Sequence, residues 1–190
     1  MDHPGASVVP DAGMCLSVFL VLSAPRSTGA VLMGRVDPSA PWSEIGGLDA
    51  ARASALGDRW MLPSSQLVFF ESPQDAAQRI LKEQLASPPI PLDGPAVFSE
   101  AYRRPGSPAS DPHWDLHFIF RGRWPSSTPP RAPAWRQLEF VDIAKTPSSE
   151  IARNQGDVLA LAGFVPRGED PVAPPTGSAP PTAPGRTTRR

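Results

Sequence analysis

The stretch from Ser72 to Leu85 (SPQDAAQRILKEQL) reads as one well-delimited helix, and the rest of the chain must supply what it packs against. Ser72 is placed to cap it, and Pro73 takes the first position, where a missing N–H costs nothing. Asp75 adds negative charge in the first turn, where the helix dipole favours it. Ala76, Ala77, Ile80, Leu81 and Leu85 recur at helical spacing and predict a buried stripe. Ahead of the helix, residues 62–71 read as a turn and a short apolar strand or loop. Behind it, Pro88, Pro89 and Pro91 enforce an extended connection.

Strand candidates surround this helix, so the expected fold class is α/β. Cys15–Leu22 is a short apolar run with β-branched and aromatic residues, and Ala30–Val36 is its expected antiparallel hairpin partner. Residues 37–58 are an excursion with a helical turn around Asp49–Leu56. Within it Trp42 and Glu44 either line a pocket or, for the tryptophan, anchor the loop onto the core. Val97–Arg103, His113–Arg121 and Leu138–Ile143 are further strands, and Ser149–Gly163 is a closing helix with Ile151, Val158, Leu159 and Leu161 inward.

Both ends differ in composition from this body. Residues 1–13 are small and polar and read as flexible, leaving 14–166 as the folded domain. Residues 167–190 are rich in Pro, Ala and Thr with almost nothing bulky and apolar. They bury too little surface to offset their ordering entropy and are expected to be disordered.

Charge and cysteine content exclude several functions. A net charge of −1 gives no long-range attraction to nucleic acid or anionic membrane, and Arg103–Arg104 is too small for a nucleic-acid patch. The single cysteine excludes an intramolecular disulfide and a Cys-cluster zinc site. Cys15, inside an apolar strand, is expected to be an inert core residue. No basic segment precedes an apolar run at the N-terminus, and Met14–Leu22 is too short to span a bilayer. A soluble, cytoplasmic protein is expected.

The candidate strand HWDLHFIFR alternates, so His113, Asp115 and His117 share one face. Imidazole and carboxylate so placed suit zinc, iron or manganese. The same face also fits a polar wall looking into a ligand cleft or solvent, with histidine donating to phosphate or ribose. Glu100, Glu139, Asp142 and Glu150 are scattered acids, expected to be solvated.

The element order, Leu62-Pro63, and the residues around the helix together resemble the Nudix hydrolase family. Its box is an opening Gly, then Glu, then Arg-Glu-apolar-x-Glu-Glu-x-Gly-apolar. Glu71 and Arg79 fix the register, and Leu81 and Glu83 also match. Ser65 replaces the opening Gly, Ile80 and Gln84 replace two glutamates, and Ala86 and Ser87 depart at the end. The resemblance implies a mixed sheet sandwiched between helices, with a box that binds Mg²⁺ or Mn²⁺ to cleave nucleoside diphosphates linked to another group.

Carried onto this chain, the resemblance makes Glu83 the surviving metal ligand and a catalytic residue, with Glu71 assisting. Arg79, His113, Asp115 and His117 become candidates for binding a nucleotide-like ligand. Ile80 cannot ligate, and Gln84 offers only a neutral carbonyl, so the cluster is largely degenerate. Glu71 and Arg79 also fit a structural ion pair. Two functions therefore stand side by side: a divergent pyrophosphohydrolase, and a Nudix-like nucleotide- or protein-binding module without catalysis. Regained activity in an Ile80→Glu plus Gln84→Glu chain would favour the second.

Overall fold

The computed structural model describes residues 14–27, 29–103, 112–152 and 155–165. The N-terminal segment 1–13, the loop 104–111 and the tail 167–190 thus lie outside the described residues, together with what their sequences led us to expect. The remainder is the expected α/β architecture, a six-stranded mixed sheet with a helix on each face. Among the described residues no helix is long and apolar enough to cross a membrane.

The sheet is built on β1 (Met14–Ser23). It runs parallel to β5 (Pro112–Arg123), with continuous pairing from Met14↔Trp114 to Ser23↔Arg123. β5 in turn pairs antiparallel with the edge strand β4 (Leu92–Arg103). On the other side stand β2 (Ala30–Val36) and β6 (Trp135–Asp142), giving the order β4-β5-β1-β2-β6.

The expected β1–β2 hairpin is only partly formed. The two strands meet at Ser23↔Val31 and then part around the segment 61–66. Met61 exchanges both backbone hydrogen bonds with Gly34 of β2, at 2.8 and 2.9 Å. Leu20 of β1 donates to the Pro63 carbonyl, and β3 (Ser64–Gln66) then pairs with β1 at Ser17–Phe19. The apolar run that follows, Val68-Phe69-Phe70, leaves the sheet and is exposed rather than forming a strand. This wedge between two diverging strands delivers the chain to the helix.

The helix α3 (Pro73–Leu85) forms as its sequence predicts, with Ser72 Oγ accepting from the Asp75 N–H at 3.1 Å. Ala76, Ala77, Ile80, Leu81 and Leu85 are all buried against Val18, Leu20, Leu22 and Phe120 on one sheet face. Each large aliphatic side chain there contributes about 1.5–3 kcal/mol by leaving water. The helix ends at Ala86 in the left-handed conformation (φ 49°), at the position where the box has glycine.

The opposite face carries Phe19, Val21, Ile119 and Val141 under α4 (Gln155–Leu161). This closing helix is shorter than expected. Ile151 lies outside it, buried in the core with its backbone bridged to Trp60, and Leu161 is exposed. Cys15 is half-buried, with the Gln66 amide 3.9 Å from its sulfur, and is not a core residue. It sits near the open end of β1, where the apolar layers stop.

A third cluster is organised by tryptophans in the excursion 37–58. Trp42, in the short helix α1 (Trp42–Ile45), is buried, and its indole N–H lies 3.1 Å from the carbonyls of both Asp37 and Ala134. It meets Trp135 edge-on at 4.8 Å. It is thus the loop anchor, while Glu44 is exposed. The second helix of the excursion, α2 (Ala50–Leu56), is capped by Asp49, which accepts from the Arg52 N–H at 2.7 Å.

Candidate functional site

Glu71 and Arg79 form a clamp between the loop and α3. Arg79 Nε donates to Glu71 Oε1 at 2.7 Å and Nη2 to Oε2 at 2.9 Å, the paired geometry that a guanidinium offers a carboxylate. Arg79 also donates from Nη1 to Ser65 Oγ at 3.2 Å and from Nη2 to the Gln66 carbonyl at 3.0 Å. Glu71 Oε2 accepts from the Val68 N–H at 3.1 Å. Every nitrogen of the guanidinium is therefore committed inside the protein, and Ser65, at the opening glycine position, is one of its partners.

The hydrogen bond from Arg79 holds the Glu71 carboxyl below its usual range, against the burial that would raise it. A lowered native pKa means that the clamp stabilises above the unfolded value, about 4.3 for glutamate, and that this is lost as pH falls through the native value. Glu71→Gln is expected to lower stability by about 2 kcal/mol at pH 7. Urea unfolding of both proteins from pH 7 to pH 3 checks this, and the difference between them should shrink at the acid end.

The next turns of α3 carry the three positions where the Nudix resemblance places carboxylates. Ile80 is fully buried under the sheet. Gln84 is also fully buried, and its amide group donates to the carbonyls of Ile45 at 2.9 Å and Ser64 at 2.7 Å. Its oxygen accepts from the Ser64 N–H at 3.1 Å. Gln84 thus ties the excursion and the start of β3 to the helix. Glu83 alone is part-exposed, with a carboxylate oxygen 3.7 Å from Arg79 Nη1.

A hard divalent cation needs several oxygen donors, preferably charged. At 80, 83 and 84 this chain presents an alkyl group, one carboxylate and an amide already spent on backbone. That donor set does not fit Mg²⁺ or Mn²⁺, and among the described residues no three acids, histidines or cysteines group as a metal site.

The strand face of β5 does not supply the missing donors. Asp115 and His117 are buried on the side of the sheet that faces α4, whereas α3 and Glu83 lie on the other. His117 packs edge-on to Phe19 at 5.1 Å and stacks on Phe98 at 6.0 Å. Burial pushes its imidazole below the usual value, opposed by the charges of Asp115 and Asp157. His113 is placed by its backbone opposite Tyr102, and its side chain lies outside the described residues.

A cleft of about 350 Å³ opens beside the clamp, between β1, β3 and α2. Ser17, Phe19, Leu56 and Gln66 line it, and Arg52 and Arg59 bring two positive charges to it. Gln66 joins it to the clamp through the Arg79 bond. The sequence offered few signals for these residues. Ser17 and Phe19 look like any strand positions, and only the helical turn expected around Asp49–Leu56 touched the segment that carries Arg52.

No protein-family model and no curated protein sequence matches the chain. Solved structures do match in shape. A MutT Nudix hydrolase from Burkholderia pseudomallei aligns at TM-score 0.53 and 13% identity, over 77% of this chain and 96% of that one. The dihydroneopterin triphosphate pyrophosphohydrolase of E. coli aligns at 0.51 and 16%, over 79% and 94%. A MutT/Nudix family protein from Listeria innocua gives 0.50 and 17%, over 81% and 92%. At this identity the likeness shows the fold, and the fold is Nudix.

Proposed function

We propose that this chain is a Nudix-fold module that binds a small nucleotide-like ligand and does not hydrolyse it. The observation that carries this reading is the commitment of Gln84. Its side chain occupies a position that a metal-binding box gives to a carboxylate, and it is consumed there by three backbone groups. With Ile80 in the core, the helix serves the scaffold at both altered positions.

The ligand is assigned to the cleft between α2 and β3. Guanidinium groups of Arg52 and Arg59 suit a phosphate or diphosphate, through charge and planar hydrogen bonding. Phe19 and Leu56 offer an apolar wall to a ring or sugar face. Arg52 is held 3.6 Å from Asp49, an exposed contact that a phosphate can replace at little cost.

Calorimetric titration tests this. Nucleoside diphosphates, ADP-ribose, dinucleotides and nucleoside triphosphates would each be titrated into the full chain, with and without Mg²⁺. Binding of at least one class, unchanged by Mg²⁺ and weakened about tenfold or more in Arg52→Glu/Arg59→Glu, is expected. Absence of binding across the panel sinks the assignment. A second reading, a divergent hydrolase working through Glu83, is favoured by that residue's exposure beside Arg79. Metal-dependent turnover would decide for it.

A further inference from the structure

Next to the strand that walls the cleft, β5 carries a buried polar group without a hydrogen bond among the described residues. His117 is 4% exposed, and among the described residues neither Nδ1 nor Nε2 has a hydrogen-bond partner. Buried polar side chains in folded proteins are nearly always paired, because an orphan keeps its full desolvation cost. The aromatic contacts with Phe19 and Phe98 hold the ring in place and satisfy neither nitrogen.

Its position links it to the cleft. Ser17, which lines the cleft, is the register partner of His117 on the adjacent strand, so the two side chains project side by side from one face. Phe19, the ring edge-on to His117, lines the same cleft. Ser17 and Phe19 thus belong to both: they line the cleft, and they neighbour His117 by register and by ring contact.

We propose that His117 closes the inner end of the cleft and recognises an uncharged donor–acceptor edge of the ligand, such as the edge of a nucleobase or a carboxamide. This rests on the cleft being the ligand site. A neutral imidazole offers one donor and one acceptor. Burial keeps the ring uncharged at neutral pH, with Asp115 and Asp157 near it. Arg52 and Arg59 attract phosphate to the α2 end, and an uncharged imidazole at the β5 end exerts no such pull. The cleft is therefore polarised, and it orients a nucleotide with its phosphates toward α2 and its base toward β5.

The experiment compares probes with and without a base. ADP, GDP, UDP and CDP, and the base-free pyrophosphate and ribose 5-phosphate, would be titrated into wild type, His117→Phe, His117→Gln and Arg52→Glu/Arg59→Glu. In parallel, ¹⁵N NMR would follow the ring nitrogens of His117, one of three histidines in the chain. At least one nucleoside diphosphate should fix the His117 tautomer and shift both ring signals. Its affinity should fall about tenfold in His117→Phe and stay within about threefold in His117→Gln, which keeps a donor and an acceptor. The base-free probes should bind both variants as they bind wild type.

A purely structural histidine predicts something different. His117→Phe would then bind every probe as wild type does, overturning the proposal while leaving the cleft assignment intact through the arginine variant. Should His117→Phe not fold, unmoved ring signals in saturated wild type overturn it by themselves. Binding by none of the probes rejects the cleft assignment and this inference with it.

Discussion

Gln84→Glu is expected to destabilise the protein by about 3–5 kcal/mol, a large part of the stability of an ordinary domain. The substitution changes one atom type, but it converts a group with two N–H donors into one with none. The carbonyls of Ile45 and Ser64, now 2.9 and 2.7 Å from the amide nitrogen, would face a carboxylate oxygen. Ionised, it is a buried charge set against two acceptors. Protonated, it satisfies only one of them. The native state therefore raises the pKa of the introduced carboxyl, and the variant recovers part of its stability as pH falls. Urea unfolding at pH 7 and pH 5 checks both the size and the sign.

The same geometry revises an expectation drawn from the sequence. Ile80→Glu plus Gln84→Glu looked like a route back to a metal cluster. Ile80 is fully buried with Val18, Leu20 and Phe120, and a carboxylate there has neither water nor a partner. The double variant should fail to fold before it gains a ligand set. Carboxylates cannot be placed at these two positions without rebuilding what Ile80 and Gln84 support.

Gly34→Ala is expected to cost about 3 kcal/mol for a single methyl group. A Cβ at residue 34 would stand 2.1 Å from Cε3 of Trp135. Flexible neighbours move aside cheaply, but this ring is fixed from three sides. Its indole N–H donates to the Gln84 carbonyl at 2.8 Å, the ring meets Trp42 in a T-shaped contact at 4.8 Å, and its backbone at the start of β6 is paired with Val36 of β2. The backbone of Gly34 is likewise held by Met61. Denaturation followed by tryptophan fluorescence reads both the stability and the local environment. Wild-type stability in this variant would mean that the ring is free to retreat, contrary to the packing described.

The helix at 73–85 was legible because its information is local. Ser72, Pro73 and the apolar stripe act within a few residues of one another, and no distant partner changes their meaning. The family resemblance was legible for the same reason, since Glu71 and Arg79 sit on neighbouring turns of chain. The β1–β5 pairing was not, because its partners lie about a hundred residues apart and either run could pair elsewhere. The hairpin expected between β1 and β2 failed where the 61–66 wedge intervenes, a contact with no signature in either strand.

The site divides along the same line. That Ile80 and Gln84 differ from the box could be read directly, but that Gln84 is a structural tie could not, since its partners are backbone groups with no side-chain identity. Leu161 carried an apolar signal and is exposed at the end of α4. His117 shared a face with Asp115 as the alternation predicted, yet only the sheet's two sides reveal that this face is turned from Glu83.

In the proposed function the box of this chain holds a loop and a helix together rather than a metal ion. Turnover is the most direct test. The full chain, and Glu83→Gln beside it, would be incubated with nucleoside diphosphate sugars, ADP-ribose, dinucleotides and nucleoside triphosphates in Mg²⁺ or Mn²⁺, and cleavage followed by chromatography. No metal-dependent cleavage is expected in either protein. Cleavage by the wild type that requires the metal and disappears in Glu83→Gln would contradict the proposed function.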